Sequence, residues 1–131
     1  MPDVAEVMSA ADALKHQFAT GDRAPFEALF APGCMLWHTG DTAEVPAANR
    51  PGAAVLREIV DNLHADILQH EDFASGSGQM IRLVMRGTVR ESGQPLEAHS
   101  CIVLTVGDQG ITRIDEYIDP TLRQQLHPGS N

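Results

Sequence analysis

The chain has 131 residues, with 9 Lys+Arg against 18 Asp+Glu, a formal net charge of −9 and 43% hydrophobic residues. That length makes a single domain whose core buries roughly two thirds of the surface the unfolded chain exposes. A pI near 4.9 and a single lysine, Lys15, exclude the clustered cations that nucleic acids and anionic membrane surfaces select. No stretch approaches the ~20 consecutive apolar residues of a membrane span, and the N-terminal MPDVAEVMSAADALKHQ carries acids where a secretion signal carries cations. A cytoplasmic protein is therefore expected. Cys34 and Cys101 fit neither a disulfide framework nor a metal cluster.

Residues 3–19 place Val4, Val7, Met8, Ala11, Leu14 and Phe18 at helical spacing, with Asp3 as N-cap and Gly21 as the stop. Asp22 caps a short second helix that tolerates Pro25 in its first turn and buries Phe26, Leu29 and Phe30, and Ala31-Pro32-Gly33 ends it. Cys34–Thr39 reads as a strand, and Gly40–Pro51 as a loop. From Ala53 to about Gln69 the period is again helical, with Leu56, Ile59, Val60, Leu63 and Ile67 on one side. His64 lies at the edge of that stripe, and His70 at the helix end where a cation suits the dipole.

From Gln79 the period changes to two. Ile81, Leu83, Met85 and Val89 alternate with Arg82, Arg86, Thr88 and Arg90, as a half-buried strand requires. With Ser92-Gly93 as the turn, Val89 faces Leu96, Met85 faces Ser100, Leu83 faces Ile102 and Ile81 faces Leu104, which puts both apolar rows on one face. Gly107-Asp108-Gln109-Gly110 begins a further hairpin into Ile111–Asp119, and Thr121–Leu126 forms a short C-terminal helix before a frayed His127–Asn131 tail. Helices followed by hairpin-connected strands mean α+β, with a cavity between helices and a curved sheet.

The last strand has two possible faces. Burying Thr112, Ile114, Glu116 and Ile118 desolvates one carboxylate, whereas burying the alternate set desolvates an arginine and two aspartates, so the first set faces in. For Cys34, Leu36 and His38 against Met35, Trp37 and Thr39, hydrophobicity alone does not choose.

The segments GDRAPFEALFAPGCMLWHTG, ESGQPLEAH and GITRIDEYIDP resemble the SnoaL-like group of the nuclear transport factor 2-like superfamily, across the whole chain. The resemblance implies a single SnoaL-like domain over residues 1–131. Its expected form is a cone-shaped α+β barrel with three N-terminal helices on a curved, mostly antiparallel sheet and a short C-terminal helix. It also brings the range of chemistries this fold supports, among them ketosteroid isomerases, polyketide cyclases and limonene epoxide hydrolases. His38 falls where ketosteroid isomerases hold a general-base aspartate, which turns His38, Leu36 and Cys34 inward. Leu14 and about Ile102 replace the isomerases' tyrosine and protonated aspartate, so steroid isomerisation of that type has no oxyanion donors here. Glu116 falls where limonene epoxide hydrolases carry an aspartate, while Met85 and Gly87 stand where their arginine and second aspartate are expected. SnoaL-like cyclases, which rely on little more than one acid/base group in an apolar pocket, differ least.

His38 as base and Glu116 as acid, on opposite sides of one substrate, are the candidate catalytic pair. The expected pocket lining is Leu14, Phe18, Leu36, Leu63, Leu83, Met85, Ser100, Ile102, Ile114 and Ile118, with Asp41 at the rim or as a turn stabiliser. Trp37 is expected to point outward. His38, His64, His70 and His99 lack metal-ligand spacing, His99 facing away opposite Arg86, so no metal and no cofactor are expected. Cys34 reads as a small buried hydrophobe. Arg82, Arg86 and Arg90 pair with acids such as Glu97, and with Val84, Cys101 and Val103 they make an outer sheet face suited to a homodimer. Two functions stay open: an acid/base enzyme of the isomerase, cyclase or dehydratase kind acting on a small apolar carbonyl compound, or a non-catalytic module that binds a small apolar molecule or a protein.

Overall fold

A computed structural model describes residues 7–128. Helix α1 (Ala10–Thr20) starts at Ser9, whose hydroxyl accepts the Asp12 amide at 3.1 Å, and ends on Gly21 at φ +82°. It is therefore shorter than the expected 3–19 helix: Val7 and Met8 precede it and are exposed, and Asp3 and Val4 lie outside the described residues. In α2 (Ala24–Glu27) the N-cap position falls on Arg23, without a side-chain cap bond, and not on Asp22 as expected; the Asp22 carboxylate, one residue further out, accepts the Ala24 amide at 3.1 Å.

Strand β1 runs from Phe30 to His38 and absorbs Ala31-Pro32-Gly33, the expected helix stop. They form an irregularity: Phe30 pairs with Ile111 but Met35 with Arg113, with Gly33 at φ +76° between. The loop expected at 40–51 holds the two-residue strand β2 (Val45–Pro46) and a 3-10 turn, Ala47–Asn49.

The largest correction concerns residues 53–69. Helix α3 spans only Ala54–Ile59, and Val60 opens the 13-residue strand β3 (Val60–Asp72). A bulge between Asp61 and His64, with Asn62 at φ +56°, brings both Val60 and Leu63 to the buried side. Their three-residue spacing, followed by Ile67 four residues on, imitates a helix stripe. His64 and His70 thus sit on a strand, bonded to the Asn62 carbonyl at 2.8 Å and the Gln79 side chain at 2.9 Å, and not on a helix. At the bulge the strand paired with β3 needs Gly87, because a Cβ there would lie 2.8 Å from the Asp61 carbonyl.

Strands β4 (Gly78–Val89), β5 (Pro95–Gly107) and β6 (Gly110–Ile118) follow as hairpins, and α4 (Leu122–Leu126) closes the described chain. The sheet order is β2-β1-β6-β5-β4-β3, antiparallel except for β1 with β6. The β4–β5 faces are as expected but the register is displaced by two residues: Met85 faces Ala98, Leu83 faces Ser100, Ile81 faces Ile102, and Val84, not Arg86, faces His99. The reason is a wider turn, in which Val89 donates to Gln94 at 2.8 Å and Gly93 donates back to Val89. Near the start of β6 a register shift opposite Thr105 and Val106 buries Ile111 and exposes Thr112, reversing the expectation there, while Ile114 stays buried.

The core lies between α1 and the inner sheet face. Ala13, Leu14 and Phe18 meet Val60, Leu63 and Ala65 of β3, with Ile81, Leu83, Ala98 and Leu104 behind them. Each such Leu or Ile stabilises the fold by about 1.5–3 kcal/mol. On the outer face Arg86 bridges Asp66 at 3.1 Å and Glu97 at 3.5 Å, and Arg90 reaches Asp61 at 2.9 Å. Trp37 stacks edge-on with Tyr117 there, ring centres 5.5 Å apart.

Candidate active site

Because β1 and β6 run parallel in register, His38 lies directly beside Glu116, and both side chains line one cavity of about 230 Å³. Adjacent strands set them on one wall, which corrects the expectation that they flank a substrate from opposite sides. The cavity is mostly apolar. Its helical side is Leu14, Phe18, Phe26, Leu56 and Leu122; its sheet side is Leu36, Met85, Ile102, Ile114 and Ile118. Leu63, Leu83 and Ser100, expected in the lining, are 3%, 0% and 2% exposed and sit in the packed layer behind it. Bulges and the two-residue register displacement decide that difference, since they choose which inward residue reaches the hollow.

Burial pushes the Glu116 carboxyl above its ordinary range, against the pull of His38, the Ser100 hydroxyl at 3.3 Å and Arg50. The shift favours the protonated form, the form that can donate a proton. Nearby, burial likewise raises the Cys34 thiol, and the residue packs as a hydrophobe.

His38 is held by a network that sequence reasoning did not contain. Arg50, from the segment before α3, donates through Nη1 to His38 Nε2 at 2.7 Å and through Nη2 to the Asp41 carboxylate. An arginine only donates, so Nε2 is the acceptor and the proton of a neutral ring resides on Nδ1. That nitrogen faces the Thr39 carbonyl at 3.2 Å and Asp41 Oδ1 at 3.2 Å. Asp41 is thus an organiser: it also accepts the His38 backbone amide at 3.0 Å, while its own carbonyl takes the Trp37 indole N–H at 3.0 Å. The His38 amide and then the Arg50 guanidinium hold its carboxyl below the usual range, against desolvation. Asp41 does not line the cavity; it stands behind His38 and Arg50. No hydrogen bond joins His38 to Glu116 among the described residues.

Two further polar groups border the hollow. Gln17 on α1 is 7% exposed, and Gly52 packs against its amide. Arg50 Nε is buried without an acceptor. Gln17 was detectable as the polar member of the 14, 17, 18 stripe, whereas Arg50 had no local signal. Among the described residues no cluster of three His, Cys, Asp or Glu side chains is placed to hold a metal ion, and no helix is long and apolar enough to cross a membrane.

A search of curated protein sequences finds no match. Solved structures show the same fold. An NTF2-like protein from Burkholderia thailandensis is 20% identical with a TM-score of 0.70, covering 89% of this chain and 93% of its own. A candidate polyketide cyclase from Bacillus cereus is 22% identical with a TM-score of 0.69, over 89% and 77%. A hypothetical protein with a ketosteroid isomerase-like fold from Catenulispora acidiphila, solved with trimethylamine, is 16% identical with a TM-score of 0.68, over 87% and 88%. The SnoaL-like domain profile matches residues 11–114. With that match over most of its length and the α+β architecture above, the chain belongs to the SnoaL-like domain family.

Proposed function

We propose that this protein is an acid/base enzyme of the isomerase, cyclase or dehydratase kind, acting without a cofactor on a small, largely apolar carbonyl compound. The observation that supports it is a buried carboxyl and an imidazole, unbonded to each other, side by side on the wall of one apolar cavity. In this reading Glu116 donates its proton to the substrate carbonyl oxygen while His38 Nε2 takes a proton from the adjacent carbon, giving an enol. Returning the proton to a different carbon isomerises the substrate; expelling a β-hydroxyl as water dehydrates it. Asp41 accepts a hydrogen bond from Nδ1–H, and its negative charge stabilises the imidazolium that forms. Before His38 can act, Arg50 must release Nε2, and an arriving substrate oxygen is the natural acceptor for the freed N–H.

The occupied Nε2 lone pair favours the second reading, a binding module of the same fold that performs no turnover. The two separate by experiment. 2-Tetralone, an enolisable apolar ketone, is incubated with the protein in D2O and its α-proton exchange is followed by NMR. Accelerated exchange that falls at least tenfold in both His38→Ala and Glu116→Gln is the expected result, in line with the ~10²–10⁴-fold range of general acid/base catalysis. Binding with no acceleration selects the module, and exchange insensitive to both substitutions overturns the assignment of the pair.

A further inference from the structure

The enzymatic reading does not use Gln17, yet the side chain is more than nine-tenths buried, lines the cavity and forms no side-chain hydrogen bond among the described residues. Its place is fixed. Leu14, Gln17 and Phe18 share one face of α1, and the amide nitrogen rests on Gly52, where a Cβ would collide with it and where φ is +63°. The Arg50-Pro51-Gly52 segment borders the cavity at the same place, and Arg50 Nε is a buried donor without an acceptor. A polar side chain in an otherwise apolar lining disfavours a ligand that cannot hydrogen-bond to it.

We infer that Gln17 is a specificity-determining residue that selects a neutral, mostly apolar ligand carrying a hydrogen-bond donor and an acceptor side by side, as in a carboxamide, a lactam or a hydroxy-enone. The complementarity follows from the carboxamide, which offers one acceptor and a donor pair; a ligand with only a carbonyl leaves Oε1 unmet, and a hydrocarbon leaves both ends unmet. Neutrality follows because the Arg50 charge is already matched by Asp41 and the Glu116 carboxyl stands on the same wall, so a carboxylate ligand would add a second acid to the cavity. This inference rests on the acid/base reading for the identity of the cavity, and a hydroxy-enone is the enol form that reading produces from a 1,3-dicarbonyl compound.

Four probes of nearly equal shape test it: benzamide, acetophenone, isopropylbenzene and benzoate, titrated into the wild-type protein, Gln17→Leu and Gln17→Met. Calorimetry gives affinities, and the Gln17 side-chain NH2 resonances report contact. The expected result is that both substitutions lower the preference for benzamide over isopropylbenzene at least tenfold. In the wild type, the NH2 resonances move with benzamide and not with isopropylbenzene. An unchanged preference ratio in the variant that folds, or benzoate binding more tightly than benzamide, overturns the inference. Failure of the two readings is distinguishable: proton exchange that depends on His38 and Glu116 with an unchanged ratio removes only the role of Gln17. A ratio that collapses without any exchange removes only the enzymatic reading.

Discussion

Replacing Glu116 with glutamine tests the electrostatics of the cavity without a substrate. The amide keeps the shape and the acceptor that meets Ser100 at 3.3 Å, but it cannot ionise. In the wild type, burial raises the folded-state pKa above the ordinary 4.5, chiefly by desolvation. The folded state therefore binds the Glu116 proton more tightly than the unfolded state does, and stability falls as pH rises from about 4.5 to the folded-state value, then levels off. Every tenfold change in the ionisation constant corresponds to roughly 1–2 kcal/mol, which for a domain of this size is a melting-temperature change of about 4–8 °C. Glu116→Gln should accordingly be more stable than wild type at pH 7–8, with the two curves converging below about pH 4.5. Chemical denaturation at half-unit pH steps measures the difference directly. Superimposable curves across the range, or a variant less stable at neutral pH, would refute the claim that burial raises the pKa of this carboxyl.

Two other substitutions probe the network behind the cavity. Asp41→Asn removes a carboxylate whose pKa is held below the ordinary 3.8 by the His38 amide and Arg50. Its contribution is present above the unfolded value and lost as pH falls through the folded one, so the variant should be less stable than wild type at pH 7 and equal to it in strong acid. The nitrogen chemical shifts of His38, which report the Nδ1–H tautomer in the wild type, should shift toward a tautomer mixture in the same variant. Gly52→Ala introduces a Cβ at φ +63° into the space of the Gln17 amide and should cost about 1–3 kcal/mol in urea denaturation. If it is neutral, the fixed position assigned to Gln17 is wrong.

Much of the site was legible because it depends on period-two alternation. The inward row of Ile81, Leu83 and Met85, and the choice of Glu116 over Asp115 and Tyr117, follow from the free energy of desolvating charge, which acts residue by residue. Of the ten residues expected to line the pocket, Leu14, Phe18, Leu36, Met85, Ile102, Ile114 and Ile118 do so. Leu63, Leu83 and Ser100 point the same way but stop in the layer behind, because bulges and register decide depth and leave direction unchanged.

What the sequence determined alone is therefore local: the acidic charge balance, a short helix after Asp22, the 107–110 hairpin and the faces of β4 and β5. Tertiary structure decided the rest. Residues 60–72 became a strand because β4 offers them a backbone ladder, and a bulge at Asn62 made their apolar spacing resemble a helix. Arg50 meets His38 only because the chain between β1 and α3 folds back over the end of β1. Such contacts depend on the closure of loops and the pairing of distant strands. Neither leaves a periodic mark on the residues that take part.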